Sequence, residues 1–140
     1  MAYRSVFFGI VLAATSASAQ PAANDAAPAI DWSEADVIEI TLTNYAFAPT
    51  TLQLHRNTPY RLHFVNKGSS DHSFTSKELL AAVMVAPDDR AKIKKDEIEI
   101  PKGKSVDVTV LPLAAGTYPF HCSHFLHASF GMHGQANIGE

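Results

Sequence analysis

Tyr118 to Gly134 reads YPFHCSHFLHASFGMHG. The stretch opens as an extended run, in which alternation puts Phe120 and Cys122 on one face, read as inward, and His121 on the other. It then enters a histidine-rich loop and leaves it at GQANI (134–138), which reads as a last strand. Cys122, His127 and Met132 are spaced C-x4-H-x4-M. A strand, a short loop and a returning strand can fold these three side chains back onto one point.

Upstream the same period-two pattern recurs. In DVIEITLT (36–43), Val37, Glu39, Thr41 and Thr43 share one face and Ile38, Ile40 and Leu42 the other. NYAFAPT (44–50) ends that strand with aromatic anchors and a proline, and TLQLHRNTP (51–59) is a short strand and a turn. YRLHFVN (60–66) points Tyr60, Leu62 and Phe64 inward and Arg61 and His63 outward, and KGSSDHSF (67–74) is a loop by composition. SKELLAAVM (76–84) predicts one helix, with Ser76 as N-cap and Leu79, Leu80 and Val83 at helical spacing. Pro87 and the charges from Asp88 to Lys95 predict a surface crossing. EIEI (97–100) and SVDVTVL (105–111) are strands joined by the turn PKGK (101–104). Roughly seven short strands, one short helix and no repeats predict an all-β Greek-key β-sandwich with antiparallel pairing.

A chain of 140 residues suits one domain with its own core. Its first residues read as an address rather than as structure. Arg4 supplies a charge, VFFGIVLAA (6–14) an apolar run, and Ala17-Ser18-Ala19 a cleavage signal. That run is shorter than the roughly 20 residues a bilayer span needs. The expectation is a signal peptide over 1–19, export to the periplasm and no membrane span. An Ala- and Pro-rich flexible arm is expected over 20–35, and the folded domain over 36–140. Without Arg4, 10 basic residues face 14 acidic ones, a net charge of −4. Such mild acidity argues against a nucleic-acid partner.

Cys122 is the single cysteine, so no internal disulfide can form. In an exported chain it would pair with another chain, act as a nucleophile or bind a metal. A thiolate, imidazoles and a weak thioether make up the donor set of a copper electron-transfer site. That set needs a second histidine from elsewhere. His72, at the end of GSSDHSF, is the best candidate, because Phe74 can plug the core beside it and Ser73 can reach the cysteine loop. Taken singly, a buried Cys or Met is usually packing; spacing and order together favour a metal. Structural zinc usually has closely paired ligands such as C-x2-C, and the chain has none. His124 competes with His127, but C-x-H leaves the backbone little room to turn. His55 and His63 read as surface residues, while His121, His124 and His133 lie near enough to the proposed metal to stay open.

FVNKGSSDHSF and GTYPFHCSHFLHASFGMHG resemble the small cupredoxins of the plastocyanin, azurin and rusticyanin superfamily. The resemblance covers about Asp36 to Ile138, and the spacing of the loop is closer to rusticyanin and auracyanin than to plastocyanin. It implies a Greek-key sandwich with one copper ion per chain at one end. It also implies His72, Cys122 and His127 as equatorial ligands and Met132 as the axial one. Phe125 and Leu126 stand where loop prolines or glycines often precede the second histidine in that family.

Two functions remain open on these grounds. The first is electron transfer to a transient redox partner protein by a monomer. In that reading Phe74, Phe120, Phe125, Leu126 and Phe130 form an apolar shell, and the loop residues form a docking patch around His127. The second is periplasmic copper handling (buffering, delivery or resistance) by the same site with help from the extra histidines. An enzyme is the weakest reading, because Cys122 is the only nucleophile candidate and is committed to the metal. Whether the site is blue, green or red stays open as well.

Overall fold

The computed structural model describes residues 29–140. The expected signal peptide and most of the expected arm lie outside them. Two sheets pack face to face. One has the order β2-β1-β4-β9-β6, built from β1 (Asp36–Thr43), β2 (Ala46–Ala48), β4 (Tyr60–Asn66), β6 (Val83–Val85) and β9 (Ser105–Pro112). The other has the order β3-β11-β10-β5-β8-β7, built from β3 (Thr51–His55), β5 (His72–Thr75), β7 (Ile93–Lys94), β8 (Glu97–Ile100), β10 (Gly116–His121) and β11 (His133–Gly139). The all-β sandwich is therefore as expected.

Its pairing is not purely antiparallel. β1 runs parallel to β4, with Ile40 opposite Phe64, and β3 runs parallel to β11, with Leu52 opposite Ala136. Parallel neighbours need a crossover. Here β2 and β3 carry the chain from the first sheet to the second before β4 returns it to the first. Local alternation carries no record of that route.

The inner faces follow the pleat. Tyr60, Leu62 and Phe64 of β4 are buried while Arg61 is exposed, and Ile40 and Leu42 of β1 are buried beside them. Phe47, Phe74 and Phe120 form the aromatic centre of the core. Phe47 meets Phe120 edge-on at 5.1 Å between centroids, and Phe74 lies 4.6 Å from Phe120. Burying each such ring contributes about 1.5–3 kcal/mol. Phe74 therefore anchors β5 beneath the loop end of the sandwich.

α1 (Lys77–Ala82) is shorter than expected. Ser76 caps it by accepting from the Leu79 N–H, and the same hydroxyl donates to the Pro119 carbonyl of β10. Val83 and Met84, expected in the helix, instead begin β6 and pair with Pro112 and Leu111 of β9. β-branched Val83 and Val85 suit that pleated edge better than another helical turn. The charged crossing also departs from expectation at Asp89, which is buried. Its carboxylate accepts from the Thr109 N–H at 2.7 Å and from Lys92 Nζ at 2.6 Å. Burial alone would raise its pKa, but Lys92 and the Thr109 amide hold it below the ordinary carboxylate value.

Candidate metal centre

Residues from β5, β10 and the loop after it meet at one end of the sandwich. β5 begins at His72, which is fully buried, as is Ser73. β10 ends at His121, so the next alternation carries Cys122 inward, 1% exposed, next to Phe120. The loop then turns through Leu126, whose φ of +62° is left-handed, into a short 3-10 turn over Ala128–Phe130. Gly131 follows at φ +100°. A Cβ there would meet nothing within 4 Å. Glycine is therefore favoured here by the backbone angle and not by a neighbouring side chain.

Three donor atoms converge. His72 Nδ1 lies 3.1 Å from His127 Nδ1. Cys122 Sγ is 3.4 Å from His127 Nδ1 and 3.9 Å from His72 Nδ1. A triangle with these sides has its centre about 2.0 Å from each corner, close to the bond length of a transition metal to imidazole nitrogen or thiolate sulfur. Among the described residues this trio is the one set of three or more His, Cys, Asp or Glu side chains whose ligand atoms all lie within 4.8 Å of one another. Soft sulfur with two imidazoles suits copper.

Neighbouring residues hold the donors in place. Asn44 Oδ1 accepts from the Ser69 N–H at 3.1 Å and lies 3.0 Å from His72 Nε2, while Asn44 Nδ2 donates to Ser69 Oγ. The amide oxygen thus faces the ring, so Nε2 carries the hydrogen and Nδ1 presents its lone pair to the centre. Ser73 donates its N–H to Cys122 Sγ at 3.4 Å and brings its hydroxyl to 3.8 Å. Ser73 Oγ also accepts from the Ser123 N–H at 2.9 Å. This is the contact between the first-histidine loop and the cysteine loop that the sequence suggested.

Met132 is fully buried, and its backbone is tied to both neighbours: its carbonyl accepts from the Cys122 N–H at 3.0 Å and its N–H donates to the His127 carbonyl at 3.1 Å. His124 stands apart from the trio. Its Nε2 pairs with Glu99 Oε1 at 2.8 Å, and its ring stacks on that of His127 at 5.5 Å. Burial and then the charges of His127 and His124 hold His72 below the ordinary histidine pKa. Burial and then His124 do the same for His127. Both shifts favour the neutral, metal-ready rings.

The apolar residues divide. Phe74 and Phe120 are each 1% exposed and belong to the same core cluster as Cys122 and Met132. Phe125, Leu126 and Phe130 are 86%, 47% and 59% exposed, so they form a surface patch and not part of an inner shell. Tyr45, which the sequence offers only as an aromatic anchor after β1, covers His127 at 4.9 Å and Phe130 at 5.0 Å between ring centroids. Asn44, just before it, reaches His72. The signal available was an Asn-Tyr pair at the end of a strand, whose reach across to the first histidine only the fold reveals.

The cupredoxin-like domain family matches residues 6–136. No curated protein sequence matches the chain. Among solved structures the chain is similar to auracyanin B, at 27% identity over 76% of this chain and 91% of that one, TM-score 0.56. It is also similar to auracyanin from the photosynthetic bacterium Roseiflexus castenholzii, at 20% identity over 76% and 98%, TM-score 0.56. A multicopper oxidase from Campylobacter jejuni shares the fold at 14% identity over 81% of this chain but 31% of that one, TM-score 0.60. These two auracyanins match along nearly their whole chains, and this oxidase over less than a third of its length. That contrast supports a small copper protein over an enzyme. With the family matched from residue 6 to residue 136 and a Cys/His/His centre in place, the chain belongs to the cupredoxin-like family and binds copper.

Proposed function

We propose that this protein is an exported, periplasmic electron carrier holding one resident copper ion, with His72, Cys122 and His127 as equatorial ligands and Met132 as the axial one. The observation that carries the reading is the convergence of three donor atoms beneath a half-buried His127 ringed by exposed apolar side chains. A copper ion so held supplies a one-electron couple between Cu(I) and Cu(II). The chain's own part is to keep the donors fixed. Asn44 orients His72, the Ser73 amide points at the sulfur, and the core cluster that holds Phe74, Phe120 and Cys122 excludes water. Pre-set donors leave little to rearrange when charge changes. The patch of Phe125, Leu126 and Phe130 offers a small apolar surface for brief docking of a redox partner, with the His127 ring at its centre. The protein acts as a monomer in this reading. Among the described residues no helix is long and apolar enough to cross a membrane.

The test is a metal analysis with absorption and EPR spectra of the mature protein after dialysis against a mild chelator. One copper per chain with an intense visible charge-transfer band supports the reading. Full occupancy by zinc that copper cannot displace would end it. Copper handling is the second reading, and the exposed histidines His121 and His133 favour it. Fast oxidation of the reduced protein by a partner, with copper retained, separates electron transfer from handling.

A further inference from the structure

We propose that His121 and His133 form a second, surface copper(II) site on the outer face of the strand pair β10 and β11. The argument starts from register. His121 and His133 are directly opposite each other in the antiparallel ladder. The next rung is a bond from the Cys122 N–H to the Met132 carbonyl, at 3.0 Å. That bond joins the residue after His121 to the residue before His133, which marks the His121–His133 rung as a non-hydrogen-bonded pair. In such pairs the Cα atoms stand about 4.5 Å apart, and the side chains lean together more closely than at the alternate rungs.

Both side chains leave the sheet on the outside. Cys122 and Met132, one residue away on each strand, are buried, so alternation sends His121 and His133 outward, and both are exposed. Other histidines of the chain are engaged: His63 with Asp107, His124 with Glu99 and His72 with Asn44. The rung continues across the sheet through Thr75 of β5, opposite His121, to Glu97 of β8, opposite Thr75. Thr75 donates its hydroxyl to the Glu97 carboxylate at 3.0 Å. One row thus reads His133, His121, Thr75, Glu97, with an anionic group about two strand spacings, roughly 10 Å, from His121.

Two imidazoles from facing residues of one rung, on an open face, with water completing the coordination, suit a tetragonal Cu(II) ion. Copper heads the affinity order of the divalent first-row metals at nitrogen sites. The sheet separates this pair from the Cys122 centre, which lies on the inner face. No thiolate is available outside, so the ion there would lack the intense sulfur charge-transfer band.

The experiment is a Cu(II) titration of the full mature chain already loaded with its first equivalent of copper, followed by EPR and visible absorption. A second equivalent is expected, with a tetragonal EPR signal, superhyperfine coupling to imidazole nitrogen and no added intense visible band. His121→Gln and His133→Gln should each abolish the second signal while circular dichroism and the first signal persist. His55→Gln, at an exposed histidine elsewhere, should keep both signals. The proposal is overturned if no second equivalent binds, or if it survives both substitutions. Loss on His124→Ala alone would also overturn it, by moving the ion to the His124–Glu99 pair. The first equivalent is read in the same titration, so failure of the Cys122 centre shows separately.

Discussion

His72 Nε2 lies 3.0 Å from Asn44 Oδ1, so one ring nitrogen of the buried histidine is held from the end of β1 while the other faces Cys122 and His127. The two residues are 28 positions apart. The contact is close enough to exclude any side chain at Gly68, where a Cβ would stand 2.5 Å from Asn44 Oδ1 and 2.6 Å from His72 Nε2.

Asn44→Ala removes the acceptor that fixes the His72 tautomer. Outer partners of metal-bound histidines typically contribute about 10–100-fold to metal affinity. Competition with a chelator should show copper affinity falling within that range, with the fold intact. Gly68→Ala should act on the same contact and shift the EPR parameters in the same direction. Wild-type affinity in both variants would show that the contact does not orient the ligand.

Cys122→Ser replaces the one sulfur of the trio. The visible charge-transfer band should vanish while the far-UV circular dichroism of the sandwich persists. An intense band in this variant would show that Cys122 is not a copper ligand.

His127→Gly should open the site to water or added imidazole and change the EPR spectrum. His124→Ala should leave it nearly intact, because His124 faces Glu99 and not the trio. Its stacking on His127 predicts at most a small change in potential. The opposite pattern would reverse the assignment of the loop histidines.

Met132→Gln should keep copper bound and lower the reduction potential, since an oxygen donor favours Cu(II). Met132→Leu should raise it, because the axial donor is lost and the site becomes more apolar. Both variants keep a side chain of similar size at a fully buried position, so folding is expected to survive. Voltammetry decides: potentials equal to wild type in both would reduce Met132 to packing.

The copper-free protein should lose stability as the pH falls. His72 and His127 are both held below the ordinary histidine value of about 6.5, so each binds a proton less readily when folded than when unfolded. Below about pH 6.5 the unfolded chain therefore takes up more protons, and the folded state loses ground until the depressed folded values are reached. Thermal midpoints of the copper-free protein should decline from about pH 7 to about pH 5. The decline should flatten when both rings are replaced by Gln. An unchanged slope in that double variant would assign the acid sensitivity to other groups.

Several parts of this protein can be read directly from the chain. The alternation of Tyr60, Leu62 and Phe64, the cap at Ser76 and the inward Phe120–Cys122 pair each depend on residues within one turn or one strand. Backbone geometry forces side chains to alternate or to recur whatever lies further off. The spacing of Cys122, His127 and Met132 is local in the same sense, and it points to a metal because few other uses need those three donors in one short loop.

Contacts between distant segments were another matter. Which strands lie side by side depends on the route of the chain, so the parallel pairs β1–β4 and β3–β11 leave no periodic trace. Val83 has a helical spacing and still joins a strand, because β9 offers it a ladder. Asn44 on His72, Tyr45 over His127 and His121 opposite His133 are likewise products of packing. Sequence alone determined the sandwich class and the chemical set of donors, since both follow from local periodicity and residue chemistry. Only the tertiary structure decided which atoms of those donors meet and which residues hold them, because strands far apart in the chain must first be brought together by burial of the core they share.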